Sequence, residues 1–439
     1  MVKNFIVKAL FIISHPRRIR NFIQCYILGK FSRKQLIRGY MEKSGEYSCI
    51  SVERCGVKKK VEEIEEKYNE IRLFYLLTDR VGELVSRFIA IMDDIADYDR
   101  REILPVFVAG DCVNGNMRLV RIMSRHIAIV DETNVSFWER VLKESSCRIN
   151  TSFWHQYMHR SEGKVISADW AGNLLKLNNE EEEEGKRKAA AMGVNSEFVC
   201  ISNRDSAYLD SLNPKSDWSY HDYRDSDINN FQLMSEEFEK KGILCVRMGR
   251  VAKKKADFIN CIDYANQYYD ELSDIYLSAH CKFFLGDNSG ILEMPTIVGT
   301  LIARTNVIPL FSGGYESLVN NPNDLYIPKL YRSKKDKRFL SFKEMMKIDM
   351  KVSFKTHEYE KLNIEVISNS PEDILDLANE MNDRINGTWK DTDEDQMLYQ
   401  KYTKLFERYI ERSGKTRQSL IAARPGAIFL RKHRFLLEA

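Results

Sequence analysis

Apolar runs of strand length that alternate with amphipathic helices predict an α/β fold with mostly parallel sheets. The alternation occurs twice, before and after a glutamate-rich stretch near residue 180, and a long helical pattern closes the chain. The 439 residues are 44% hydrophobic and 30% charged, a globular balance long enough for two domains. Only 21 Gly and 9 Pro punctuate them, which leaves little room for low-complexity linkers and excludes collagen-like and mucin-like classes.

The first series opens with Ile71 to Leu77 (IRLFYLL), a buried strand, and Thr78 to Glu83 turns it into an amphipathic helix from about Leu84 to Ala96. Leu104 to Val108 repeats the strand signal ahead of Gly110-Asp111. Met117 to Met123 reads as helix and Ile127 to Val130 as a short strand. The run Glu180 to Glu184, followed by Lys186, Arg187 and Lys188, predicts a solvated helix at a domain boundary.

The second series begins with the strand Phe198 to Ile201. Asp227 can cap a helix through Phe238 that ends at Gly242, and Ile243 to Arg247 forms the next strand. Asp270 to Ala279 is helical, Lys282 to Leu285 is a strand, Asn288 to Val298 reads as a helix entered through Gly286, and Leu301 to Ala303 is a strand. Ser370-Pro371-Glu372-Asp373 places a cap, a first-turn proline and an acid in the order that starts a helix, here Pro371 to Ile385. A helical tail follows from about Asp393 to Arg412. Together these describe two facing Rossmann-like domains, with ligands at the carboxyl ends of the strands. The expected boundaries are a basic segment 1–48, an acceptor-side domain 49–170, a linker 171–196, a nucleotide-sugar-binding domain 197–390 and a tail 391–439.

The net charge of +3 is uneven: residues 1–41 carry nine basic side chains and no acid, against a net −6 for the remainder. Interleaved with Phe5, Ile6, Leu10, Phe11, Ile19, Phe22 and Ile27, these charges suit an anionic membrane surface, although a helix packed on its own domain would look similar. A nucleic-acid partner is not expected. No run of about 18 uncharged apolar residues is present, so no spanning helix is expected. Nine cysteines without a CxxC pair fit a reducing cytoplasm.

The segment Cys281 to Pro295 (CKFFLGDNSGILEMP) carries most of the chemistry. A strand delivers Gly286, and Asp287, Asn288, Ser289 and Gly290 then open a helix whose free N–H groups suit a diphosphate. Arg204 follows the strand Phe198 to Ile201 and would project at the same edge, with Arg224 and Arg247 similarly placed. Such turns also occur in purely structural units, and these arginines could equally pair with Asp205, Asp222 or Asp225.

The blocks CISNRDSAYL, HDYRDSDINNF, GILCVRMGR, DYANQYYDELSDIYLSAHCKFFLGDNSGI and NSPEDILDLANEMNDRINGTW resemble a family of bacterial glycosyltransferases of surface-polysaccharide clusters, over about residues 195 to 410. The resemblance implies a GT-B enzyme that needs no metal or other cofactor, with a nucleotide-diphosphate sugar as co-substrate and a tail that crosses back between the domains. It places Arg204 and the Asp287 to Gly290 turn at the donor diphosphate, with Tyr223, Arg224 and Arg247 near them. The family's turn more often reads Gly-Thr-Ser/Thr-Ser-Gly, so Asp287 puts an acid where a hydroxyl is the rule. A carboxylate there repels a diphosphate unless another group takes it up.

Thr78 to Glu83 (TDRVGE) resembles the first strand-helix turn of heptosyltransferase-like GT-B enzymes, which puts Glu83 in the place of the catalytic acid, with Asp79 and Asp111 as competitors. In an inverting transfer that carboxylate takes the acceptor proton. His155 and His159 would share a helix face without an acidic third ligand, and Phe153, Trp154 and Tyr157 could line an acceptor platform or simply pack. The implied activity is transfer of a sugar to a lipid-linked or polysaccharide acceptor at the cytoplasmic face of a bacterial membrane. A nucleotide-sugar 2-epimerase on the same fold and a non-catalytic scaffold are the alternatives.

Overall fold

The computed structural model describes residues 52–76, 80–95, 102–109, 115–130, 134–152, 166–212, 215–287, 289–310, 319–349, 355–413 and 423–438. The basic segment 1–41, Asp79, Asp111, Asn288, and the stretch with Phe153, Trp154, His155, Tyr157 and His159 lie outside them. The chain forms two units. The first takes the described residues up to Leu73 and those of Tyr98–Val108 and Ile129–Thr151, and the second those of Phe74–Asp97, Ala109–Ala128 and Ser152–Ala439.

In the first unit, β1 (Glu70–Leu76), β2 (Ile103–Ala109), β3 (Ala128–Val130) and β4 (Arg148–Ser152) make a four-stranded sheet in the order β3-β2-β1-β4. Val57, Val61 and Ile64 of the helix Val52–Lys67 are buried, as are Trp138, Val141 and Leu142 of the helix Val135–Glu144, which packs against it. Their three-to-four-residue spacing is the apolar stripe that drives such packing.

The second unit contains β5 (Ile166–Ser167), β6 (Phe198–Ser202), β7 (Leu244–Arg247), β8 (Cys261–Ile262), β9 (Phe284–Asp287), β10 (Ile302–Val307), β11 (Val319–Asn320), β12 (Leu325–Pro328), β13 (Leu330–Ser333), β14 (Ile364–Ile367) and β15 (Arg424–Pro425). Seven of these form one sheet in the order β15-β12-β10-β9-β6-β7-β8, every pairing parallel. β6, β9 and β10 are buried along their whole length, because helices cover both faces. Val199, Ile201, Phe283 and Leu285 join one core, with Phe231, Phe238, Ile374 and Met381. Phe198, Cys200 and Phe284 alternate into the other, with Tyr264, Leu277 and Leu292. The α/β class with a parallel sheet is therefore the one the sequence predicts.

The sheet grows from β6 outward to β7 and β8, and then restarts at β9 on the other side of β6. In parallel sheets such a reversal is where ligands bind, here at the carboxyl ends of β6 and β9. Their register pairs Ser202 with Gly286, and a Cβ on Gly286 would stand 2.3 Å from the Ser202 hydroxyl oxygen and 2.6 Å from its carbonyl, so only glycine fits.

Two local expectations are corrected. The glutamate helix (Asn179–Ala191) is solvated on one face, with Glu180, Glu183, Lys186 and Arg187 exposed, but packed on the other: Asn178 and Glu181 close a capping box, Glu181 is buried and paired with Arg125, and Glu184 pairs with Arg118 at 3.0 Å. Ala189 lies in the core, and a Cβ on Gly185 would collide with the Tyr276 ring. The second correction concerns Asn288 to Val298. Gly290–Glu293 is a 3-10 turn followed by the five-residue helix Met294–Val298, too short to hold much macrodipole. By contrast Pro371–Ile385 has the predicted bounds, its Ser370 hydroxyl accepting from the Asp373 N–H. The helix Asp393–Ser413 buries Leu398, Tyr402 and Phe406 on the second unit's core, and Trp389 donates to Asp391 under the Arg384 guanidinium.

Candidate functional site

Strand ends define the site. β6 delivers Asn203 and Arg204, β7 ends in Arg247, β9 ends in Asp287, β10 carries Thr305 and Asn306, and Lys329 follows β12. All lie at the carboxyl edge of the parallel sheet. Asp287 is the last strand residue rather than the first of a turn. Its carboxylate is 1% exposed and accepts from the Arg204 backbone N–H (3.1 Å), Thr305 Oγ1 (2.7 Å), Asn306 Nδ2 (2.8 Å) and the Ser226 hydroxyl. Four protein donors thus take up the charge that sequence reasoning left facing a diphosphate.

The arginines fall into two groups. Arg247 is 2% exposed, bonded to Asp263 (3.1 Å) and to the Asn203 amide oxygen (3.0 Å), with Asp205 3.8 Å away. The structure makes it a buried tie between β7 and the β6 loop, corresponding to the pairing alternative. Arg204 is half-buried, paired through one guanidinium nitrogen with Asp225 and donating to the His221 carbonyl at 3.4 Å. Arg224 is half-buried in the 3-10 segment Ser219–Arg224. Tyr223 turns its ring into the core, 5.2 Å from that of Tyr359, and its backbone N–H donates to Thr356.

Lys329 escaped the sequence reading. It is 2% exposed, and its ammonium donates to the carbonyls of Tyr223 (3.1 Å) and Asp225 (2.6 Å), so β12 holds the 219–226 loop at this edge. A lysine directly after the apolar run LYIP was the available signal. Burial lowers its pKa to about 8, helped by Arg204 and Arg224 and opposed by Asp287 and Asp225. Burial raises Asp225 to about 6 against the pull of Arg204, and burial lowers His221 to about 4 with help from Arg204, Arg224 and Arg80. At neutral pH the His221 imidazole is therefore uncharged, held so by burial and by the neighbouring arginines.

Beside this cluster the helix Val81–Ile95 approaches the 289–290 turn. A Cβ on Gly82 would come within 2.6 Å of the Gly290 Cα, so two bare backbones touch. Ser289 keeps a buried hydroxyl with no hydrogen-bond partner, and Gly290 is exposed. Glu83, next after Gly82, has a side chain 45% exposed and an ion pair with Arg87 at 2.7 Å. The structure therefore brings Arg204, Arg224, Ser289, Gly290 and Glu83 to one edge, while Asp287 and Arg247 are absorbed in the framework beneath. Among the described residues no group of three His, Cys, Asp or Glu could hold a metal, and no helix is long and apolar enough to cross a membrane.

The sequence matches no protein-family model and no curated protein. Among solved structures the chain is similar to a glycosyl transferase family 9 protein from Veillonella parvula DSM 2008, at 10% identity and a TM-score of 0.41, over 72% of this chain and 97% of that one. It is similar also to the iron-containing dodecameric glycosyltransferase TibC from enterotoxigenic E. coli H10407 (10%, 0.37, covering 73% and 77%) and to E. coli ADP-heptose LPS heptosyltransferase II (9%, 0.33, covering 59% and 90%). Likeness at this level assigns the chain no activity.

Proposed function

We propose that the protein is a GT-B glycosyltransferase that moves a sugar from a nucleotide-diphosphate donor to a lipid-linked or polysaccharide acceptor in bacterial surface-glycan synthesis. The observation that carries this reading is the cationic edge at the β6/β9 reversal, where Arg204, Arg224 and Lys329 gather beside the bare Ser289-Gly290 turn. Such an edge suits a diphosphate, since forked guanidiniums and exposed backbone complement phosphate oxygens. In this reading Arg204 and Arg224 hold the donor and stabilise the departing nucleotide, and Asp287 orients the Arg204 backbone. Glu83 takes the proton of the attacking hydroxyl in an inverting, metal-independent step.

The first test is thermal unfolding with UDP, GDP, CMP, dTDP and ADP. One nucleotide should stabilise selectively, by about 2.7 kcal/mol at 100 times its dissociation constant, and no shift with any would defeat the donor site. Turnover of the nucleotide sugar without acceptor would instead favour the epimerase.

The basic, apolar segment 1–41 suits docking at the inner face of the membrane, where a lipid-borne acceptor is found. Removing residues 1–38 should abolish sedimentation with anionic vesicles while leaving nucleotide binding intact. Undiminished vesicle binding would refute this part of the proposal.

A further inference from the structure

We propose that the second unit carries another ligand site, for one ring of a neutral polyhydroxylated molecule such as a sugar residue, in the cavity beside the amino ends of β10 and β12. This site is separate from the donor edge, because β10 enters the cavity at Ile302 and reaches the Asp287 cluster only at its other end, through Thr305 and Asn306. The cavity measures about 230 Å³, the liquid volume of roughly seven or eight waters, which suits a single sugar ring.

Its polar lining is Asp169, Asn173, Thr300, Asn321, Asn323 and Asp324. Asp324 is 6% exposed, with one oxygen accepting from the Ile302 N–H at 2.8 Å. Burial raises its pKa to about 7 against the pull of Arg304, so near neutral pH it exchanges between a protonated form that donates and an ionised form that only accepts.

These groups select the ligand class. An anion would find the Asp169 carboxyl and no cationic side chain in the lining, and a cation would find Asp324, whose charged form burial opposes. Hydroxyl groups both donate and accept, and so pair with either protonation state of Asp324 and with the amides of Asn173 and Asn323. The wall is preformed, because Gly172 and Gly299 pack backbone to backbone: a Cβ on Gly172 would stand 2.5 Å from the Gly299 Cα. Leu301 and Ile302 add an apolar patch for the C–H face of a ring.

The test is saturation-transfer NMR of the full chain with a panel of neutral hexoses and heptoses. At least one should bind, with affinity reduced about tenfold or more by Asn173→Ala and again by Asn323→Ala, both at exposed positions where folding is not at issue. Arg204→Ala should leave it unchanged, so loss of the donor site and loss of this one are told apart. Absence of binding by every sugar, or binding insensitive to both cavity variants, would overturn the proposal. So would binding abolished by Arg204→Ala, or stabilisation by Ca²⁺ alone that Asp324→Asn removes.

Discussion

Arg204→Ala should weaken binding of the nucleotide sugar by roughly 100-fold, the scale of a partly buried charge removed from its counter-ion. The Arg204 backbone is fixed, the N–H by Asp287 and the carbonyl by the Ser226 N–H at 3.0 Å, so the variant keeps its loop. The guanidinium pairs with Asp225, and a diphosphate must compete with that carboxylate. Asp225→Asn should therefore bind the donor at least as tightly as the parent. The same competition sets a pH dependence. Asp225 is raised from its ordinary 3.8 to about 6, so below that pH it is neutral and leaves Arg204 to the diphosphate, and above it the ion pair forms. Donor affinity should thus fall as pH rises through about 6, and fall again above about 8 as Lys329 loses its proton. The same raised pKa means the native state holds the extra proton between about 4 and 6, so this group's contribution to stability declines across that window. Calorimetric titration with a nucleotide sugar, whose diphosphate diester does not titrate there, reads both limbs. Asp225→Asn should flatten the lower limb alone. An unchanged dissociation constant in Arg204→Ala would remove it from the donor site.

The sequence resolves most where local chemistry decides the outcome. Ser370-Pro371-Glu372-Asp373 starts its helix at the predicted residue because the cap and the proline act within one turn. Met117–Met123 is equally local, capped by Asn116. The reading weakens where tertiary partners outvote the local pattern. Asp287 looks like a turn acid beside Asn288-Ser289-Gly290, yet it ends β9, because Ser226, Thr305 and Asn306 converge on it from two other segments. Those partners are 18 to 61 residues distant in sequence, and no window contains them. Glu181 reads as one of five solvated glutamates until Arg125, 56 residues earlier, pairs with it. The part Lys329 plays was hidden for a related reason: it holds two carbonyls more than a hundred residues upstream. Arg204 was legible because strand, loop and arginine are contiguous, and the parallel topology alone places that loop beside Gly286.

Glu83→Gln should lower turnover by a factor of about 100 to 10,000 while changing donor affinity little. The argument begins with Gly82, whose missing Cβ lets the helix Val81–Ile95 touch Gly290. The next residue on that helix is therefore carried to the donor turn, and it bears a carboxylate. Glu83 is not buried among donors, as Asp287 is, and its side chain remains 45% exposed, open to an incoming hydroxyl. Its ion pair with Arg87, a turn later, restricts the rotamer. Glutamine preserves the shape and a hydrogen bond but cannot accept a proton, so kcat should fall with the donor dissociation constant within about twofold. Gly82→Ala should mimic the loss by a different route, since its methyl would force the helix away from Gly290 and carry Glu83 with it. Single-turnover assays with saturating donor separate the two, because Gly82→Ala should also loosen the donor turn. If Glu83→Gln retained full activity, the acceptor proton would have to leave through Asp79 or Asp111, and the Gly82–Gly290 contact would be a packing feature alone.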